Sequence, residues 1–559
     1  MGRKKKNRKK GQSTFTNRED LGSSKAAAAI LGAYVFLMLI VFPLAYRPGG
    51  NVKWEFFRNA SIFIPLGEDG AFFPGLLPLL CPIALWHFAE LAMARTAAPS
   101  SGRRRLSSLD AFVLAYGISA LLSALCSPYQ RTVYAGNNAR HMGLWAQLAF
   151  IGIYFAASRF WRPGMMGRLA IFGGLASSGI VFIVGILNRF HIDPLGTYRG
   201  VSENDIHWFL STIGGINFYA MYLCLMMAAG LFLFWHADGW KRRALLGAYL
   251  GICSMSLVTQ DSDSAYIGLF AMFSALLMLS LDDARKMERL LEAVLLCLLS
   301  FKFMGLLRQM FPDRAEWVDA LSEFFLRNGA AWGIIATLAL AYALLRIRRL
   351  RGGAWAGEKG IRIIRAGYLG LVITALSGAV LYIALNTAGM LPPALRSDSN
   401  YFLFGPGWGH DRGAVWTDAA IAMGGAAREN PREFLIGSGP DTFALYVYNR
   451  RFEEMDSVIL HATGGKADAL FMDGHNEWLT ALINYGLIGG IAYLGIFICG
   501  IIRMWRNRGA APEAQMALVC AASYVAQNIF CYQIFFDTPL MFLILGIGEA
   551  AVRRAEKGK

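Results

Sequence analysis

Long apolar runs alternate along the chain with short polar segments. The runs occupy residues 26–46, 71–93, 108–126, 142–158, 169–188, 215–235, 244–259, 264–281, 290–306, 329–345, 366–387, 477–502, 515–534 and 539–552. Most approach the roughly 20 residues that a helix needs to cross a hydrocarbon core. None shows the strict two-residue alternation of a membrane barrel, and in lipid only helices and closed barrels satisfy their own backbone groups. The pattern predicts an all-α polytopic membrane protein with about 14 transmembrane helices (12–14, the last run being short). The first run is not expected to be a cleaved signal: its basic lead is long, its apolar stretch is near full span length, and further spans follow.

Most polar connections are short. The exception, residues 388–476, predicts a large extracytoplasmic loop with helical parts at 415–427 and 441–452, and a loop this long is usually functional. The chain thus divides into a polybasic cytoplasmic tail (1–25), transmembrane helices 1–11 (26–387), the large loop (388–476), helices 12–14 (477–552) and a second cytoplasmic tail (553–559). Charge agrees with this order. With both termini cytoplasmic, 36 of the 54 Lys and Arg fall on the inner side and 18 outside, as the positive-inside rule requires. The chain is 55% hydrophobic and only 16% charged, against about 25% charged for soluble proteins. Its net charge of +16 is therefore mostly topogenic. The MGRKKKNRKKGQ tail suits anionic lipid headgroups, and nucleic acid is not an expected partner. The eight cysteines lie in or at the edge of apolar runs without zinc spacing, so they read as packing residues. Neither a metal nor a cofactor is expected.

The polar residues that could carry chemistry cluster at outer boundaries. In DGHNEWLTALINYGLIGG, His475 stands where the large loop meets the next span, flanked by Asp473 and Glu477 as groups that could orient its ring, and followed by Asn476. Two readings stay open: an interfacial histidine, or a proton-transfer group. In GHDRGAVWTDAA, Arg412 and Trp416 share one helical face, and Arg412 offers a planar fork for phosphate oxygens. Gly437 and Gly439 form a glycine-rich turn that does not match a P-loop. Arg140 and Arg199 are outer arginines able to face an anion, and Asp263 stands in a very short outer turn beside Asp261. The span centres are almost free of charge, Lys302 excepted. That favours outer-face chemistry over passage of a substrate through the membrane.

Taken together, His475-Asn476 leading into a glycine-spaced helix, Arg412-x-x-x-Trp416 and Gly437-x-Gly439-Pro440 resemble the O-antigen ligase and O-antigen polymerase superfamily of bacterial membrane glycosyltransferases. Gly136-x-x-x-Arg140-x-x-Gly143 and Ser211-Thr212…Asn217 extend the resemblance. It implies a GT-C-like many-helix fold in the bacterial cytoplasmic membrane. It also implies inverting, metal-independent transfer of a glycan from a polyprenyl (undecaprenyl) pyrophosphate carrier to an acceptor hydroxyl on a glycan, lipid or protein, in cell-surface polysaccharide assembly. By the resemblance His475 is the general base, Arg412 steadies the pyrophosphate, and Arg140 or Arg199 assists. One departure stands out: where the family carries a Ser-Arg pair, this chain reads Ser262-Asp263-Ser264. Orientation of Arg412 by an ion pair is one role open to Asp263. A repeat polymerase and a non-catalytic lipid-linked glycan flippase are the alternatives.

Overall fold

The computed structural model describes residues 27–45, 106–137, 141–199, 201–203, 206–316, 319–352, 357–451, 472–509 and 511–557. The polybasic tail, the expected span at 71–93, Arg140 and residues 452–471 lie outside the described residues. Apolar helices account for most of the rest: α1 (Ala27–Leu44), α2 (Ser108–Cys126), α3 (Leu144–Phe160), α4 (Met165–Asn188), α5 (Ile216–His236), α6 (Trp240–Leu257), α7 (Ser264–Ser280) and α8 (Ala284–Met310). They continue with α9 (Ala320–Arg327), α10 (Ala330–Leu350), α11 (Glu358–Thr387), then α12 (Trp408–Glu429), α13 (Pro431–Ile436) and α14 (Phe443–Arg451) in the large loop, and α15 (Glu477–Arg506), α16 (Pro512–Gln527) and α17 (Thr538–Lys557). The strands among the described residues are one two-residue antiparallel pair, β1 (Phe209–Leu210) and β2 (Gly214–Gly215). Among the described residues, eight helices (α1, α2, α4, α5, α8, α10, α11 and α15) are long and apolar enough to cross a membrane. The protein is an all-α, multi-pass membrane protein.

Local sequence explains where helices begin. Ser107 and Asp110 form a reciprocal capping box at α2, Asp283 accepts two backbone N–H groups at α8, and Asn476 accepts the Leu479 N–H at α15. Each satisfies donors that a helix start leaves orphaned. Composition explains depth. Helix α5 is apolar all round and 89% of its span is buried, so it stands at the centre, packed by α6, α7 and α16. Helices α10 and α11 bury 6% and none of theirs, so they stand at the periphery.

Charges gather at the two ends. At one end, wholly buried Asp110 meets Arg159 (3.0 Å) and Arg553, and wholly buried Glu549 meets Arg503 (2.5 Å) and Arg553 (2.8 Å). This network ties the start of α2 to the ends of α3, α15 and α17. At the other end the long connections converge. Buried Arg189 donates to the carbonyls of Thr259 (2.7 Å), His207 (3.1 Å) and Gln260 (3.2 Å) and pairs with Glu316 (3.2 Å). The Lys302 ammonium donates to the Leu326 and Asn328 carbonyls (3.2 and 2.7 Å), which makes it an anchor for the end of α9.

Candidate functional site

The site forms where the large loop returns to the bundle. Helix α15 is broken at Gly486, whose φ is +67°. Into this break fits the turn Gly437-Ser438-Gly439: the Ser438 N–H donates to the Ile483 carbonyl (3.0 Å) and the Gly439 N–H to the Asn484 carbonyl (2.9 Å). A Cβ on Gly437 would stand 2.4 Å from both the Asn484 carbonyl oxygen and the Gly486 nitrogen. The glycines are therefore a requirement of backbone-to-backbone approach. The Ser127 hydroxyl also donates to the Ser438 carbonyl. Gly136 and Gly143 use the same device, since a Cβ on Gly143 would lie 2.3 Å from the Gly136 nitrogen. Asp441 closes this second loop by accepting the main-chain N–H groups of Asn137 (2.8 Å) and Met142 (2.9 Å).

His475 sits one residue before the cap of α15, with φ +43°. Left-handed conformations are costly for such residues and cluster at functional sites. The others here, including His141, Ser211, Asp261, His410, Asp411 and Asp441, all lie in the connections gathered at this end. Asp473 Oδ1 accepts the His475 backbone N–H (2.7 Å) and lies 3.0 Å from the ring Nδ1. The Nδ1 approach is off the N–H line, so the contact is chiefly electrostatic. The His475 side chain is 26% exposed. The Tyr532 ring meets the imidazole edge to face at 5.1 Å. Glu477 does not orient His475 as expected. Its buried carboxylate turns inward to the Tyr493 hydroxyl and the Tyr524 hydroxyl (2.9 and 3.0 Å), because the helical turn after Asn476 points it into the bundle.

The Trp416 indole N–H donates to the Gly474 carbonyl (2.8 Å), which brings α12 against the His475 turn. Arg412, one helical turn earlier, has Nη1 donating to the Gly409 carbonyl (2.6 Å), while its Nε is buried without a partner. The segment leading to it runs left-handed through Gly409, His410 and Asp411. Trp408, Trp416 and Phe530 pack beside it with ring centroids 5.3–6.0 Å apart. The ion pair considered for Asp263 is absent: its carboxylate accepts the Tyr401 hydroxyl instead (3.0 Å), and burial together with nearby Asp319 pushes its pKa up. Arg199 is exposed, and no contact among the described residues brings it to His475. The Ser211 main-chain N–H donates to Asn188 Oδ1 (2.8 Å) while its hydroxyl is buried without a hydrogen-bond partner among the described residues, and the Thr212 hydroxyl donates to the Pro43 carbonyl (2.6 Å).

A small cavity of about 20 Å³, room for about one water, lies beside His475, with Asp441, Asp473, Thr480, Asn484, Tyr485 and Tyr532 in its wall. Asp441, Asn484 and Tyr532 were not anticipated from the sequence. The left-handed Asp441 after Gly-Pro was the one available signal, because a carboxylate at a turn tends to collect backbone N–H groups. No family model matches the chain, and no curated protein matches it either.

Proposed function

We propose that the protein is a glycosyltransferase of the O-antigen ligase type, with about 14 spans in a GT-C-like arrangement and its large loop outside the bacterial cytoplasmic membrane. It moves a glycan from a polyprenyl-pyrophosphate carrier to an acceptor hydroxyl. The observation that carries this reading is the Trp416–Gly474 hydrogen bond, which sets the helix bearing Arg412 against the turn bearing His475. A base and a planar cation then flank one outer-face site.

In the proposed reaction the acceptor O–H gives its proton to His475 Nε2 as its oxygen attacks the anomeric carbon. The bond from that carbon to the pyrophosphate breaks, and its electron pair leaves with the phosphate oxygen. Asp473 stabilises the imidazolium that forms, and Arg412 meets charge developing on the leaving group. Arg140 is the second cation of the proposal, and the exposed Arg199 is not used. A repeat polymerase differs only in its acceptor. A flippase has one observation in its favour: Asp537 is 1% exposed with neither carboxylate oxygen hydrogen-bonded, and buried acids in membrane proteins often mark transport paths.

The test is transfer from a synthetic polyprenyl-pyrophosphate-linked glycan by purified protein, with and without chelator. His475→Ala should lower the rate by on the order of 10²–10⁴-fold, and chelator should have no effect. Near-full transfer by the variant would remove His475 from the chemistry. No transfer by folded wild type across donors and acceptors would favour the flippase.

A further inference from the structure

Residues 528–537 join α16 to α17, and this connection carries two aromatic rings to the site. Phe530 packs on Trp416 and Trp408 (5.8 and 6.0 Å between centroids), and Tyr532 packs on the His475 imidazole (5.1 Å). The course of the connection is fixed at three points, and all three lead to Glu477. At its start the Asn528 carbonyl accepts the Glu477 N–H (3.0 Å). In its middle Gln533 Nε2 donates to the Tyr493 hydroxyl (2.8 Å), which in turn donates to the Glu477 carboxylate. Just past its end the Thr538 hydroxyl lies 3.2 Å from the Tyr524 hydroxyl, which donates to the same carboxylate (2.9 and 3.0 Å).

We propose that Glu477 is a positioning residue: it sets the 528–537 connection, and through it holds the Tyr532 ring on His475 and the Phe530 ring on the helix that bears Arg412. The part this plays in transfer rests on the glycosyl-transfer reading. The chemistry explains why a carboxylate stands here. Glu477 is 2% exposed, and an acid in a dry interior is costly unless it is hydrogen-bonded. An apolar side chain would fill the space without that cost, but it would leave both tyrosine hydroxyls, and Gln533 with them, free to take other partners. A carboxylate accepts from several donors at once, and a satisfied buried network selects one arrangement. Reacting groups need that selection, since a misplacement of about 1 Å can cost on the order of 10²-fold in rate. Glu477 thus acts on His475 at one remove, through Tyr493, Gln533 and the neighbouring Tyr532.

Single hydroxyl deletions separate this role from general packing. Tyr493→Phe cuts the link to Gln533 and keeps the ring. Glu477→Gln removes the carboxylate at nearly constant shape, and Tyr493→Phe alone serves if it does not fold. The control is Tyr219→Phe, which removes another buried hydroxyl, bonded to Ser256 (2.6 Å) between α5 and α6. The first readout is NMR of full-length protein in nanodiscs with isotope-labelled histidine. The chain has eight histidines, so the His475 ring signal is assigned by its loss in His475→Ala. Tyr532→Leu gives the position of that signal without the ring current of Tyr532. Tyr493→Phe and Glu477→Gln should move the signal toward that position, and Tyr219→Phe should leave it in place. The second readout is transfer, in which kcat of both variants should fall on the order of 10–100-fold with the control unchanged. A signal that stays in place in Tyr493→Phe, or that moves as far in the control, overturns the inference and leaves the transferase reading standing. A moved signal with unchanged kcat also overturns it, because the Tyr532 contact then has no bearing on the reaction. A moved signal in a protein whose wild type transfers from no donor upholds the positioning and removes the transferase reading.

Discussion

Trp416 and Asp473 approach the same short turn from opposite sides, one through the Gly474 carbonyl and the other through the His475 N–H and ring. A left-handed histidine is held this way without relying on its own rotamer. Arg412 is less fully engaged, with one hydrogen bond to Gly409 and its Nε unpaired, so donors remain for an anion. If those donors grip pyrophosphate as a fork, Arg412→Lys keeps the charge but loses the planar geometry. Its kcat/KM for transfer should then fall roughly tenfold to hundredfold; unchanged kinetics would show that only charge is used. Residue-level reading singled out His475, Asp473, Asn476, Arg412 and Trp416 as candidates because they stand in two short sequence stretches. It assigned Glu477 to the wrong neighbour because the direction of a side chain at a helix start depends on what that helix packs against. It missed Asn484, since an asparagine inside an apolar run looks the same whether it is paired or not.

Helix α15 illustrates how elements shape the site. Its glycine spacing marked close packing, but the left-handed Gly486 divides it, and the break is what receives the Gly437–Gly439 turn. A Cβ on Gly437 meets backbone at 2.4 Å, and its φ is +95°. Gly437→Ala should therefore cost about 3 kcal/mol from overpacking and left-handed strain, read as a lowered melting temperature in detergent. Gly333→Ala on peripheral α10, where an added Cβ meets nothing within 4 Å, is the control and should be neutral or slightly stabilising. Equal melting temperatures for the two variants would mean that the turn does not dock as described. Of the helices of the large loop, α14 (Phe443–Arg451) lies within two residues of the expected 441–452, whereas α12 (Trp408–Glu429) begins seven residues before the expected 415–427. Helix α13 was not anticipated, being only one and a half turns long and started by Asn430 and Pro431.

Across the whole molecule, titrating groups buried in the connections at the His475 end of the bundle should make stability depend on pH. Burial lowers the His141 pKa from 6.5 to about 4, and its Nδ1 is enclosed without a partner. Between these values the unfolded chain binds the proton and the folded one does not, so stability should fall as pH drops from 6.5 toward 4. Asp261 and Asp263, raised by burial, act in the opposite sense: they lose stability as pH rises above the ordinary carboxylate range. Comparing melting temperatures of wild type and His141→Gln isolates the histidine. The variant should lose less stability over pH 6.5 to 4.5, and parallel curves would show that His141 is not neutral and enclosed in the folded protein.

What the sequence by itself determined is the class of molecule, because crossing a membrane depends on the apolar length of each segment, and that is a local property. It also located the loop and the short motifs, since caps, glycines and adjacent charges act over a few residues. Only the tertiary structure decided which groups meet. Ser127 reaches a turn 311 positions away, Asn137 reaches Asp441 across 304, and Tyr524 reaches Glu477 across 47. Such pairings follow from how helices of similar hydrophobicity pack against one another. The composition of any single helix does not encode them, and the cavity beside His475 exists only once they have formed.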